Sequence, residues 1–198
     1  ESGRVVWMGE GRKQATLERF FDALSDAQRA GIEAIAMDMW DPFIAAARTK
    51  VPQAAIVFDQ FHVVKAFGKV IDTVRIAQAK AACEADKNVY KGSKYLLLKN
   101  DKNLKAEERV HLNQLLQLNA VLCTMLILRD QLKHLWDYRS RAWAARALEE
   151  WCDLARSLEI RALSRFCRML QAHRERILAH CRHPIHTSKL EGVNNKIK

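Results

Sequence analysis

The sequence has no closely spaced pair of cysteines and an odd number of them. Its five cysteines are scattered between positions 83 and 181, and no two of them form a Cys-x-x-Cys motif. A disulfide framework needs an even set of paired cysteines, so this pattern argues against a disulfide-stapled secreted domain. We therefore expect reduced thiols and a cytoplasmic protein.

Long apolar runs and a nucleotide-binding glycine pattern are also missing. The most apolar helical stretch, residues 121–128, is far shorter than the roughly 20 residues that cross a bilayer. No signal peptide is visible, so we expect no membrane partner. The glycine-containing stretch GEGRKQ lacks the third glycine of a dinucleotide fingerprint, which argues against a nucleotide site.

Positive charge is abundant but unevenly distributed. The 198 residues carry a formal net charge of +10. Through His62 there are 7 Lys+Arg against 9 Asp+Glu, whereas the remainder has 26 against 14. An acidic region joined to a basic one suits a protein that holds metal ions and a polyanion such as DNA together. The alternative is a generally basic protein with a solvated surface.

Two short apolar runs, each closed by an aspartate, form the centre of the acidic region. Residues 32–37 and 54–58 have the length and composition of parallel strands covered on both faces. Asp38 and Asp59 follow them. Because a βαβ unit brings the ends of its parallel strands to one edge, where α/β sheets place their sites, we expect both carboxylates at that edge. Two acids at one edge suggest metal chemistry.

Local start and stop signals predict the flanking elements. Between the two strands, Asp41 is the expected N-cap of a helix with Pro42 at its first position, and Pro52 ends that helix. Upstream, residues 4–8 have the composition of a further strand, and Thr16 is the expected N-cap of the helix that follows.

The chain after His62 has a helical pattern for more than a hundred residues. A first helix carries an apolar stripe with lysines and arginines on another face. Further helices are predicted over residues 106–118, 120–136, 141–158 and 160–181. The tryptophans of this region, Trp136, Trp143 and Trp151, are expected in the core rather than as stacking platforms for bases.

Arginine replaces lysine completely between positions 139 and 182. This segment has ten arginines, no lysine and five acidic residues. Since the planar guanidinium suits phosphate better than a mobile ammonium, the two helices here are a candidate surface for the DNA backbone, with Arg161, Arg165 and Arg168 as the candidate contacts. A solvated face of Glu–Arg pairs is an equally acceptable interpretation.

The final stretch, HTSKLEGVNNKIK, predicts the start of a helix. Ser188 and Glu191 have the spacing of a capping box, which is the structural explanation of that glutamate. On the helix, Glu191, Asn194, Asn195 and Lys198 share a polar face. A carboxylate beside amides and a lysine also fits a metal ligand placed against DNA.

Taken together, AMDMW, FDQFHVVK, the long helical segment and TSKLEGVNNKIK resemble the catalytic domain of a DDE-type bacterial insertion-sequence transposase of the ISL-three family. The resemblance covers essentially the whole chain. It implies an α/β fold with a ribonuclease-H-like core and a long all-helical insertion. In this arrangement residues 1–62 form a partial core, residues 63–182 the insertion, and residues 183–198 the start of the core helix with the last catalytic acid.

The resemblance also assigns roles to residues. Asp38 matches the second catalytic acid and Glu191 the third, and both would bind two Mg²⁺ or Mn²⁺ ions. Such ions take oxygen ligands and keep waters, so a few carboxylates at an open edge suffice. We expect the two carboxylates within about 10 Å of each other, since a two-metal site requires shared ions. Asp59 and His62 match a supporting Asp-x-x-His signature. On the polar face that carries Glu191, Asn194 and Asn195 are candidate supporting residues, and Lys198 is a candidate DNA contact.

The sequence departs from the family pattern at its start. The family's first catalytic aspartate lies on a strand that precedes Glu1, so we expect a catalytic-domain fragment that is inactive alone. The resemblance implies transposon-end and target DNA as partners, a homo-oligomeric full-length protein, and the bacterial cytoplasm. The alternatives are an inactive or domesticated transposase remnant that binds DNA through its helices, and a junction resolvase or other nuclease on the same fold.

Overall fold

The computed structural model describes residues 5–185, which are mostly helical and include one small parallel sheet. The chain divides into two compact units. The described part of the first unit comprises residues 5–63, 139–141 and 173–185, and the second comprises Val64–Tyr138 and Ala142–Ala172. Each unit has its own buried side chains and is described by itself.

The first unit contains the predicted βαβ unit. Strand β1 (Ala34–Met37) pairs in parallel with β2 (Ala55–Phe58), in a register that runs from Ala34 opposite Ala55 to Met37 opposite Phe58. Helix α3 (Asp41–Lys50) connects them. The prediction of two parallel strands around a helix is confirmed, and this arrangement is consistent with the predicted α/β class.

Three further helices belong to this unit. Helix α1 (Gln14–Asp22) packs against α3, and the short α2 (Asp26–Ala30) precedes β1 with a capping box formed by Ser25 and Gln28. Helix α10 (Arg174–Leu178) packs against β2.

Both predicted N-caps in this unit are wrong. Trp40 is the N-cap of α3, so Asp41 and Pro42 both lie inside the first turn; the helix does end at Lys50, as the proline at position 52 predicts. Helix α1 begins at Gln14 after Lys13. Thr16 therefore lies inside α1. Its hydroxyl donates a hydrogen bond to the carbonyl of Glu10 at 3.2 Å, so this side chain holds the preceding loop instead of capping the helix.

The strand predicted over residues 4–8 is also wrong for its described part, residues 5–8. They form no ladder with another described strand, and Val6 and Met8 are 78% and 72% exposed. An apolar composition favours a strand only where a neighbouring strand can take up its backbone hydrogen bonds. Trp7 instead packs on Phe20 of α1, with ring centroids 5.6 Å apart.

The second unit is built from helices. Helix α4 (Gln60–Ala81) follows β2 in the chain, and its residues from Val64 onward belong to this unit. It is followed by α5 (Ser93–Leu98), α6 (Ala106–Leu118), α7 (Ala120–His134), α8 (Arg141–Ser157) and α9 (Arg161–Ala172). The bounds predicted for α6 are confirmed. The predicted helix 120–136 ends two residues earlier and continues as the 3₁₀ turn Leu135–Asp137, and the predicted helix 160–181 is broken at position 173.

An aromatic cluster holds three of these helices together. Phe67 of α4, Trp151 of α8 and Phe166 of α9 pack with ring centroids 5.1 to 5.8 Å apart. The Trp151 indole N–H donates to the carbonyl of Leu128 on α7 at 2.7 Å, so its buried polar group is satisfied. Trp143 contradicts the core prediction: it is 60% exposed, since it lies beside the buried face of α8, with the Arg146 guanidinium 5.8 Å from its ring.

Membrane-spanning character is weak in the described residues. No single helix there is long and apolar enough to cross a bilayer, and Ala106–Leu118 with Ala120–Asp137 reaches that length and composition only as a pair bent by 117°.

Candidate active site

The two aspartates that follow the strands lie at the same edge of the sheet. Met37 and Phe58 are the last register partners, so Asp38 and Asp59 come next on adjacent strands. The backbone N–H of Asp59 donates to the Met37 carbonyl at 3.4 Å, which extends the ladder to this edge. Adjacent strands are about 4.8 Å apart, so the two backbones are close neighbours. The sequence-based expectation for this pair is confirmed.

Asp59 is almost completely buried, with 4% exposure. Its Oδ1 accepts a hydrogen bond from the backbone N–H of Phe61 at 2.7 Å. Since α4 begins at Gln60, this is the geometry of an N-cap, in which a carboxylate satisfies a donor of the first turn and faces the positive end of the helix dipole. Asp59 thus caps the first turn of α4.

His62 lies in the first turn of α4 and is half-buried. Its ring meets that of Phe61 edge-on, with centroids 5.3 Å apart and an angle of 87° between the planes. The supporting role predicted for His62 remains a prediction.

Asp38 has a different environment from Asp59. Its side chain is 29% exposed and forms an ion pair with Arg12, with 3.6 Å between Nη2 and Oδ2. The Arg12 guanidinium also lies over the indole of Trp40, 5.0 Å from the ring centroid. Asp38 therefore keeps a partly open carboxylate in a polar setting.

Arg12 and Trp40 are residues of this edge that the sequence patterns did not indicate. Arg12 comes from the loop before α1, 26 positions before Asp38, and no helical or strand periodicity relates them. The only available signal was the pair of glycines, Gly9 and Gly11, which marks a turn in front of the helix.

The donor chemistry of this edge suits a hard divalent cation, but only in part. A partly open carboxylate such as that of Asp38 is the kind of ligand that Mg²⁺ prefers. Within residues 5–185 no group of three or more His, Cys, Asp or Glu side chains is arranged to hold a metal ion. The other ligands expected for a metal ion at Asp38 remain a prediction.

The candidate site residues near the carboxyl terminus lie outside the described part of the chain. These are Glu191, Asn194, Asn195 and Lys198, together with the capping box of Ser188. The expected proximity of Asp38 to Glu191 thus stays a prediction.

The arginines of α9 have an arrangement that distinguishes them from those of α8. Arg161, Arg165 and Arg168 are exposed along one side of the helix, at spacings of four and three residues. None of them forms an ion pair with an acidic residue of the described chain. The opposite side of α9 is buried through Leu163, Phe166, Cys167 and Leu170. The three guanidiniums therefore form a solvent-facing basic row.

The arginines of α8 are paired with acidic neighbours. Arg146 contacts Glu150 at 2.8 Å and Arg156 contacts Asp153 at 3.0 Å. The side-chain hydrogen bond with Glu150 raises the pKa of Arg146 above its usual value. The interpretation as a face of acid–arginine pairs therefore holds for α8. The DNA contacts predicted for the arginines of α9 remain a prediction.

Comparison with known proteins first gives a general class. The family model that matches this sequence carries the description "Transposase" and spans residues 1–198. Because the match extends over the entire chain, this protein belongs to the ISL3 family of DDE transposases.

Curated relatives agree with this family. The transposase for insertion sequence element IS1001 of Bordetella parapertussis is 41% identical over 198 residues, which cover 98% of this chain and 49% of the relative. The transposase for insertion sequence element IS1557 of Mycobacterium tuberculosis is 27% identical over 221 residues, which cover 100% of this chain and 50% of the relative. The chain thus spans about half the length of these relatives. No solved structure matches it.

Proposed function

We propose that this chain carries part of the catalytic site of an insertion-sequence transposase that cleaves and transfers DNA strands with the help of divalent metal ions. One observation carries the proposal: a chain of the transposase family presents a partly open carboxylate, Asp38, at the carboxyl edge of a parallel βαβ unit. That edge is where sheets of this type place their sites. The family membership supplies the reaction class, and the edge supplies a ligand of the right kind.

The ribonuclease-H-like core is part of the same proposal. The two parallel strands, with the helix between them, would be its central portion, within residues 1–62. Residues 63–182 would be the helical insertion, and residues 183–198 would return to the core with Glu191. The succession of five helices from α5 to α9 without an intervening strand supports an insertion of this kind.

Asp38 and Glu191 are the proposed ligands of the metal ions. When bound, two Mg²⁺ or Mn²⁺ ions would activate the attacking hydroxyl and stabilise the leaving oxygen of an in-line displacement at phosphorus. In this scheme Asp38 offers oxygens from the sheet edge. Asp59 and His62 would support the turn at the start of α4, and Asn194 and Asn195 would support Glu191.

DNA is the proposed substrate, both as transposon ends and as target. The arginine row of α9 would contact backbone phosphates, and Lys198 would add a contact beside Glu191. Phosphate contacts position a duplex without reading its sequence, which suits a helical surface that must accept many targets. Homo-oligomerisation of the longer protein and action in the bacterial cytoplasm complete this proposal.

The decisive experiment uses a longer protein of which this chain is a part. Asp38→Asn and Glu191→Gln should each abolish cleavage of labelled transposon-end DNA in the presence of Mg²⁺, while DNA binding and melting temperature stay close to wild type. Asp41→Asn, which alters an exposed carboxylate three residues along the chain, is the matched control and should cleave normally. Wild-type cleavage by the Asp38→Asn variant would overturn the assignment.

A second function is favoured by the arginine row of α9. A surface of unpaired guanidiniums can bind DNA without any metal chemistry, as an inactive or domesticated transposase would. The same experiment separates the two: salt-sensitive DNA binding with no metal-dependent cleavage in the wild-type protein would support this alternative.

A further inference from the structure

The loop that precedes α1 is held in place by two hydrogen bonds to its backbone. The Thr16 hydroxyl donates to the Glu10 carbonyl at 3.2 Å, and the Trp40 indole N–H donates to the Arg12 carbonyl at 2.8 Å. Between them Gly11 has a φ of +89°, a conformation that side-chain-bearing residues rarely adopt. The backbone of Arg12 is thus fixed from both sides.

This loop presents the side chain of Arg12 at the candidate active edge. The guanidinium carbon lies 5.0 Å from the ring centroid of Trp40, and Nη2 lies 3.6 Å from Oδ2 of Asp38. The Arg12 side chain nevertheless remains 70% exposed. Trp40 therefore acts twice, once as the donor that fixes the backbone of Arg12 and once as the platform for its charge.

The arrangement is not accounted for by stability. An ion pair this exposed contributes little, because water solvates both charges. The N–O separation of 3.6 Å is also longer than a hydrogen bond, so the contact with Asp38 does not use up the donors of the guanidinium. Arginine offers five N–H donors in a planar fork, which leaves several for a second anion.

The acidic character of this region makes a fixed cation at the sheet edge useful for binding a phosphate. The residues through His62 carry two more acidic than basic side chains, and Asp38 itself would repel a phosphate. A guanidinium beside Asp38 can offset that repulsion and bind a phosphate oxygen in the planar, two-pronged geometry that arginine favours.

We propose that Arg12 is a substrate-binding residue that contacts a non-bridging oxygen of the DNA phosphate held next to Asp38, with Trp40 as its platform. This inference rests on the proposed function of the edge. It adds a phosphate contact from a loop of the first unit, separate from the arginine row of α9.

The test is the salt dependence of DNA binding, measured with a short duplex of transposon-end sequence. The background is the Arg161→Ala, Arg165→Ala, Arg168→Ala variant, so that few other phosphate contacts remain. In that background Arg12→Ala should lower the slope of log affinity against log salt by about 0.9, the value for one phosphate on B-DNA. Arg12→Lys should keep the slope but lose affinity, because a point charge cannot reproduce a stacked, two-pronged contact.

Two further variants separate this role from a structural one. Trp40→Phe keeps an aromatic ring but removes the N–H that anchors Arg12, and should give an intermediate slope at a similar melting temperature. Arg19→Ala removes an equal charge from an exposed position on α1 and should leave the slope unchanged. If Arg12→Ala melts early, Arg12→Gln, which preserves most of the side-chain length, becomes the deciding variant.

The outcomes distinguish this inference from the function it rests on. Absence of salt-dependent DNA binding by the wild-type protein would remove the proposed function itself. Wild-type binding with equal slopes for the Arg12 and Arg19 variants would overturn only the role of Arg12.

Discussion

The arginine row of α9 allows a quantitative prediction about DNA binding. Replacing Arg161, Arg165 and Arg168 together with alanine should remove three phosphate contacts. Each contact on B-DNA contributes about 0.9 to the slope of log affinity against log salt, so the slope should fall by about 2.7. Raising the salt concentration from 50 to 200 mM should then weaken DNA binding by the variant about 40-fold less than it weakens DNA binding by the wild-type protein. The measurement is fluorescence anisotropy with a labelled duplex across that range.

The substitutions should leave the fold intact. All three side chains are exposed and lie opposite the buried face of α9, and alanine is the best helix former. Changes at such surface positions usually stay within about 0.5 kcal/mol each. The melting temperature should therefore move by only a few degrees.

A matched control uses three arginines that already have acidic partners. Arg109, Arg146 and Arg156 are exposed and contact Asp101, Glu150 and Asp153 at 2.7 to 3.0 Å. Their joint replacement with alanine changes the net charge by the same amount but should alter the slope by less than about 1. Equal slope changes in the two triple variants would attribute binding to overall charge. An unchanged slope in the α9 variant would assign its arginines to a solvated face.

Three further predictions concern stability and the sheet edge. Phe67→Ala should lower the free energy of unfolding by about 4 kcal/mol, because it leaves a cavity at the centre of the aromatic cluster. The melting temperature measured by calorimetry should fall by about 8–16 °C, and a fall under about 2 °C would contradict that central role. Asp59→Ala should lower the free energy of unfolding by about 0.5–2 kcal/mol, because the Phe61 N–H loses its acceptor. It should also slow strand transfer by the longer protein, and an unchanged melting temperature together with unchanged strand transfer would refute the supporting role. Burial, and to a smaller extent the charge of Arg176, lowers the pKa of His173 from its ordinary value of 6.5. Below about pH 6.5 the unfolded state therefore binds more protons than the folded state, and stability should be lost as the pH falls. Urea denaturation between pH 7 and pH 5 measures this loss, and His173→Gln should reduce it; an identical pH dependence in that variant would place its origin elsewhere.

The elements that sequence patterns predicted best are those whose signals are local. The strands β1 and β2 are apolar runs followed by aspartates, and a proline at position 52 ends the helix between them. The signal for each of these ends therefore lies within a few residues of it. Helix α6 was predicted with its correct bounds for the same reason. The family resemblance came from several short motifs spread over the chain, which together are far more specific than any one of them.

The errors arose where a distant contact decides the local structure. Thr16 has the composition of an N-cap, but its hydroxyl bonds to Glu10 in a loop that turns back on the helix. Trp143 has helical spacing with the buried residues of α8 yet lies just outside their face. Arg12 contacts Asp38 from a loop whose backbone carbonyl accepts a hydrogen bond from the indole of Trp40, 28 positions further along the chain. No local pattern contains these relationships.

The two acids at the sheet edge illustrate how environment can divide roles between identical side chains. Asp59 is 4% exposed and commits an oxygen to the first turn of α4, so replacing that bond with a metal ligand would cost the helix its cap. The side chain of Asp38 is 29% exposed and forms a long ion pair with Arg12, which a divalent cation or a phosphate could share or displace at small cost. The sequence presents the same residue type after each strand. Burial and hydrogen bonding favour a structural role for Asp59, whereas the partial exposure of Asp38 is what its proposed part in the chemistry requires.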